Sequence, residues 1–243
     1  MKYDKTEVFN IDGAFRGMRN PLQSYDKSDS KYCLLNEDIE CGICNLHDNG
    51  CNMLMANSGV YILGENDLKL AQRLILAGGE HRKFLRMIQV CVDITAPLYW
   101  YKEFDTYKVG TTANSTSTMH RLATTPITLD CFEIGDFEDI VIEEIDGDLD
   151  YVSTTEFSAY VVMMLEKLRL KYLETNDKRY WKELIRWLPE SWLQTRTVTM
   201  NYENLRNMYF QRRNHKLTEW SIDFVKWIES LPYTKELIML EGK

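Results

Sequence analysis

The chain has 243 residues, 44% of them hydrophobic, which is enough to bury one substantial core and too few for two full enzyme domains. A net charge of −8 excludes a nucleic-acid-coating protein, which needs a dense Lys/Arg surface to neutralise many phosphates, whereas one nucleotide needs only a few local cations. The start lacks the apolar core of a secretion signal, and the longest uncharged apolar run, residues 159–165, is far below spanning length. We therefore expect a single cytoplasmic domain over 1–243 that partners neither membrane nor nucleic-acid polymer. Its six cysteines are then reduced thiols rather than a disulfide framework.

In chain order, residues 6–30 read as a short strand, a turn and a polar loop. Residues 31–58, rich in Cys, Asn and Gly, read as an irregular excursion. It holds one CxxC pair, Cys41 and Cys44, with Cys33, Cys51 and His47 nearby. Zinc sites usually show two such pairs, so we assign no metal and read a loop of free thiols. ENDLKLAQRLILAGG predicts a helix with Leu68, Ala71, Leu74 and Ile75 on one face, Asn66 or Asp67 as cap, and Gly78 or Gly79 at its end. VCVDIT alternates Val90, Val92 and Ile94 against polar neighbours and predicts a strand ended by Pro97.

LYWYKEFDTYKVG predicts a helix breaking near Gly110. TTANSTSTMH follows as a loop of hydroxyl side chains flanked by Lys108 and His120. It is either a plain polar turn or a phosphate cradle, since hydroxyls and backbone N–H groups bind an anion without a full set of arginines. Residues 130–150 hold many carboxylates and no Lys or Arg; the ligand spacing of a calcium loop is absent, so this acidic insertion reads as a solvated loop or peripheral hairpin without function. Ser153 with Glu156 predicts a capping box for a helix whose Phe157, Tyr160, Val161, Met164, Leu165 and Leu168 read as core. A short helix ends at Leu188-Pro189, QTRTVTMN alternates as a strand, and NLRNMYFQRR puts Leu205, Met208, Tyr209 and Arg212 on one helical face. LTEWSIDFVKWIESL closes the series as a helix, with Leu217, Trp220, Phe224, Trp227, Ile228 and Leu231 at helical spacing.

Four blocks, in this order, resemble the flavin-dependent thymidylate synthase (ThyX) family. They are SYD at 24–26, then GGEHRKFLRMIQVCVDITAPLYWYKEF, then TYKVGTTANSTS in the place of the family signature RHRxxSxNExS, and finally LPESWLQTRTVTMNYENLRNMYFQRR. The resemblance implies an α/β (α+β) fold with a central, mostly antiparallel sheet flanked by helices, assembled as a homotetramer with shared sites. It further implies one-carbon transfer to C5 of dUMP or a related pyrimidine nucleotide, with FAD as cofactor and NADPH and methylenetetrahydrofolate as co-substrates. Carried over residue by residue, Ser24, Lys108, Asn201 and Asn207 fall at cofactor positions. Glu103, Lys108, Thr116, Ser117, Arg186 and Arg212 fall at substrate positions, with Arg212 polarising the base and Ser117, or Thr116, beside the phosphate. Arg212 and Ser117 are the catalytic candidates.

The same resemblance carries departures. Thr106 and Lys108 stand for the two signature arginines, Tyr107 for the histidine between them, Glu103 for an upstream glutamine and Glu203 for a flavin-side arginine. A lysine cannot reproduce a bidentate guanidinium contact. A second expectation therefore stands beside the enzyme: a non-catalytic nucleotide-binding protein on the same fold, without flavin.

Overall fold

A computed structural model describes residues 1–32, 61–134, 141–142 and 152–242. The Cys-rich excursion, with its CxxC pair, and most of the acidic insertion lie outside these residues. Two compact units are distinguished, one of residues 1–2, 94–106 and 114–196, the other of residues 3–93, 107–113 and 197–243.

β1 (Lys2–Phe9) turns into α1 (Ile11–Arg19) at Asn10, whose backbone is left-handed at φ 67°. The sequence led us to expect a turn and loop here. Gly13 and Gly17 weaken the intrinsic helix preference, but Ile11, Ala14, Phe15 and Met18 bury one face and override it. Gly13 is needed for a further reason: a Cβ there would stand 2.1 Å from the side-chain oxygen of Asn10. Two 3-10 turns, Asn20–Leu22 and Tyr25–Lys27, lead to β2 (Lys31–Tyr32), which pairs antiparallel with β3 (Tyr61–Ile62). α2 (Glu65–Leu76) is the expected helix with a different cap. Gly64 occupies the cap position, and the Asp29 carboxylate accepts from the N–H groups of Asn66 and Asp67 at 2.9 and 3.1 Å.

β4 (Gln89–Pro97) alternates as expected, with Val90, Val92 and Ile94 fully buried. α3 (Leu98–Phe104) stops at Asp105, earlier than the expected break near Gly110. The hydroxyl-rich segment is not a plain loop. It forms β5 (Thr112–Ser115), wholly exposed, and α4 (Thr118–Arg121). Immediately after β5, Thr116 N–H donates to the Thr195 carbonyl at 2.9 Å; main-chain pairing, blind to side-chain polarity, is why the polar composition concealed a strand.

Within the acidic insertion β6 (Val141–Ile142) pairs antiparallel with β7 (Val152–Ser153). α5 (Thr154–Thr175) then begins at the expected Ser153–Glu156 capping box and packs on α6 (Lys178–Arg186). Leu165 and Leu184 join Leu122, Ile127 and Phe132 in a buried cluster. Phe157 and Tyr160 were read as core, yet they are 56% and 60% exposed. The packed seam of α5 runs instead through Val161, Leu165 and Leu168, and the stripe of Phe157 and Tyr160 faces away from it.

β8 (Leu193–Asn201) runs into α7 (Tyr202–Arg212), on which Leu205, Met208 and Tyr209 are buried as the spacing predicts. The last expected helix is divided into a π-turn, Glu219–Phe224, and α8 (Val225–Glu229), followed by α9 (Thr234–Leu237). Trp220, Phe224 and Ile228 are nevertheless fully buried. The strand order of the main sheet is β1-β4-β8-β5. Thr197 Oγ1 donates to Asp93 at 2.6 Å, and the hydroxyls of Thr95 and Thr195 hydrogen-bond at 2.7 Å. Partners descend β8 as they ascend β4, the mark of antiparallel pairing. The architecture is the expected mixture of helices and antiparallel sheet. Among the described residues no helix is long and apolar enough to cross a membrane.

Candidate functional site

In the second unit, α7 organises the candidates. Asn201 accepts from Asn204 N–H at 3.0 Å, and the Asn204 side chain accepts from Asn201 N–H at 3.2 Å, a reciprocal cap on the first turn. Asn204 Nδ2 also donates to the Val109 carbonyl at 2.7 Å. Two helix turns further on, Tyr107 Oη donates to Gln211 at 2.8 Å and accepts from Arg212 Nε at 2.7 Å. The guanidinium of Arg212 lies 4.7 Å from the Trp220 ring centre and 5.4 Å from that of Tyr107, so its cation is held against two aromatic faces. Segment 107–109 therefore runs along the stripe of Asn204 and Gln211. Asn207, exposed, sits between them at i+3 from one and i−4 from the other. Lys108 is exposed on the same segment. Asn201 is buried and its side chain serves the cap.

Glu203, standing where the resemblance expects an arginine, is buried and bound by two guanidinium groups. Arg82 Nε donates to it at 3.2 Å, and Arg86 Nε donates to its second oxygen. Ser24 is half-buried; its carbonyl accepts from Arg19 Nη1 at 3.0 Å and its hydroxyl from the same nitrogen at 3.4 Å.

In the first unit, Ser117 caps α4 by accepting from His120 N–H at 3.2 Å. Thr116 is exposed, and its carbonyl accepts from Gln194 Nε2 at 2.9 Å. Glu103 is half-buried near the end of α3, where its carbonyl accepts from the Thr106 hydroxyl at 2.7 Å. Arg186 pairs with Glu183 on its own helix and its side chain is 54% exposed. Thr116 and Thr118, on either side of Ser117, are thus tied to Gln194; no contact joins Arg186 to them among the described residues.

Sequence reasoning missed Arg196. Its guanidinium carbon lies 3.7 Å from the Tyr101 ring centre, its Nε donates to Gln194 Oε1 at 2.9 Å and its Nη1 to Asp105 at 2.7 Å. Burial pushes the Tyr101 hydroxyl above its ordinary value, so that it remains protonated and donates to the Ile94 carbonyl at 2.6 Å. A signal was present: in the alternation of QTRTVTMN, Arg196 shares its phase with Gln194, Val198 and Met200, all buried. An arginine in the buried phase of a strand must have partners.

No protein-family model and no curated protein sequence matches the chain. Solved structures do. The flavin-dependent thymidylate synthase ThyX of Helicobacter pylori, complexed with FAD and dUMP, superposes with a TM-score of 0.62 at 16% identity, covering 98% of each chain. A second structure of that enzyme with the same ligands gives 0.63 at 18% identity over 98% of this chain and 97% of the other. A UMP/dUMP methylase of Streptomyces cacaoi, bound with 5-bromo-UMP, gives 0.51 at 13% identity over 97% and 94%. At such identities the likeness is one of architecture, and it extends over nearly the whole chain: this protein has the fold of the flavin-dependent thymidylate synthases.

Proposed function

We propose that this chain binds a pyrimidine nucleoside monophosphate and transfers a one-carbon unit to C5 of its base, as a ThyX-type methyltransferase. The observation that carries the reading is Arg212, a half-buried guanidinium fixed by the Tyr107 hydroxyl and backed by Trp220. A pre-oriented cation of this kind can donate to a uracil carbonyl and stabilise the enolate form of the ring, in which C5 is nucleophilic towards its one-carbon donor. On the phosphate side the residues are Thr116 and Ser117. The Ser117 oxygen accepts from His120 N–H, which leaves its own O–H to donate. In a homotetramer with shared sites, part of the same proposal, base-side and phosphate-side residues need not come from one chain.

A bound flavin would supply the reducing equivalents that convert the transferred carbon to a methyl group. The donor set suits such an anionic dinucleotide in charge, if not in the family's arrangement. Arg82 and Arg86 both bind Glu203, with Glu80 a second carboxylate near Arg86, so guanidinium groups stand at 82 and 86 where the resemblance expects positive charge at 106 and 203. Ser24 and Asn207 add a hydroxyl and an exposed amide, while Asn201 gives its Oδ1 to the helix cap.

A second reading, nucleotide binding without flavin, is favoured by the carboxylate at 203, where the resemblance expects an arginine. Absorbance of the purified protein and titration with FAD, beside thermal unfolding with dUMP, separate the two. The enzyme reading predicts saturable FAD binding and formation of dTMP from dUMP, methylenetetrahydrofolate and NADPH. Protection by dUMP with no FAD binding supports the second reading, and the absence of both overturns each.

A further inference from the structure

We propose that Arg196 is a positioning residue that sets the phosphate end of the nucleotide site, an inference that rests on the nucleotide-binding reading above. The segment standing in the place of the family signature begins just after Asp105 and ends at Thr116–Ser117. Arg196 Nη1 donates to Asp105 at one stem, at 2.7 Å. Its Nε donates to Gln194 Oε1 at 2.9 Å, and Gln194 Nε2 in turn donates to the Thr116 carbonyl at 2.9 Å and to Thr118 Oγ1 at 3.3 Å at the other stem. One guanidinium therefore ties both stems of the segment.

The direction of each bond gives the arginine its role. An amide side chain can turn over and exchange its oxygen for its nitrogen. The N–H of Arg196 accepts only the orientation that presents Gln194 Oε1 to it, so Nε2 must point at Thr116. That fixes the Thr116 carbonyl, and through the planar peptide it fixes the N–H of Ser117. Arg196 itself is largely buried, paired with Asp105 and stacked on Tyr101, so it acts through Gln194 rather than on a phosphate directly. A lysine could keep the charge and the pairing with Asp105 but could not also hold Gln194 and lie flat on the ring.

The test measures dissociation constants of dUMP and of deoxyuridine, which lacks the phosphate, for the wild-type protein, Arg196→Lys and Gln194→Met, with melting temperatures alongside. We expect Arg196→Lys and Gln194→Met each to weaken dUMP by about tenfold while changing deoxyuridine by less than about twofold. Equal loss for both ligands marks a merely structural role and overturns the proposal, as does unchanged dUMP affinity in either variant. If Arg196→Lys fails to fold, Gln194→Met decides by the same comparison. Wild-type protein that binds neither ligand overturns the nucleotide reading and this proposal with it.

Discussion

Asp67 and Arg19 are sealed from water together, at 0% and 4% side-chain exposure, with Arg19 Nε 2.6 Å from the carboxylate. Ser28 and Ser30 hydroxyls add bonds of 2.7 and 2.6 Å. Burial pushes the Asp67 carboxyl up, but the hydrogen bonds from Ser30, Ser28 and Arg19 outweigh it and leave the group below its ordinary value. A depressed folded-state value means stabilisation present above the unfolded carboxylate's pKa and lost as pH falls through the folded one. Asp67→Asn is accordingly expected to cost about 3–5 kcal/mol at neutral pH by leaving Arg19 unpaired. It should also flatten the decline in melting temperature below about pH 4, which melting curves of both proteins across that range check. The sequence could not disclose this pair: 48 positions separate its members, and Asp67 looked like a helix cap. Arg212 entered as a candidate through the resemblance, and the helical spacing of its neighbours fixed only its face. For Arg196 the alternation of its strand carried a signal, but its partners Asp105 and Tyr101, at the end of α3 and on it and more than 90 positions away, could not be read from the sequence.

The elements most legible in the sequence were those with a single strong period. β4, β8 and α7 follow their alternating or helical patterns, and α5 starts at its capping box. α1 was obscured by its two glycines and β5 by its hydroxyls, while on α5 periodicity revealed an apolar stripe without revealing whether anything covers it. The turn between α3 and β5 depends on one residue. Gly110 has φ +75°, and a Cβ there would stand 2.8 Å from Asn201 Nδ2 and 2.9 Å from Asn204 Oδ1. Gly110→Ala is expected to destabilise by at least about 1–2 kcal/mol from the left-handed backbone alone. Displacement of the Asn201–Asn204 cap adds to this loss, and urea unfolding measures the sum.

For the whole molecule, architecture and activity rest on different residues. A fold shared over 98% of both chains at 16% identity is maintained by patterning and packing, which many sequences satisfy. Activity rests on a few side chains, and of the positions that the resemblance assigns to it, Thr106, Tyr107, Lys108 and Glu203 depart from the expected pattern while Arg212 matches it. Two of the departing residues are themselves bound: Tyr107 accepts from Arg212, and Glu203 accepts from Arg82 and Arg86. The most direct test is a calorimetric titration of dUMP into the wild-type protein and into Arg212→Ala. Saturable wild-type binding, weakened by about tenfold or more in the variant at a nearly unchanged melting temperature, is the predicted result. No wild-type binding, or equal affinity in the two proteins, would contradict it.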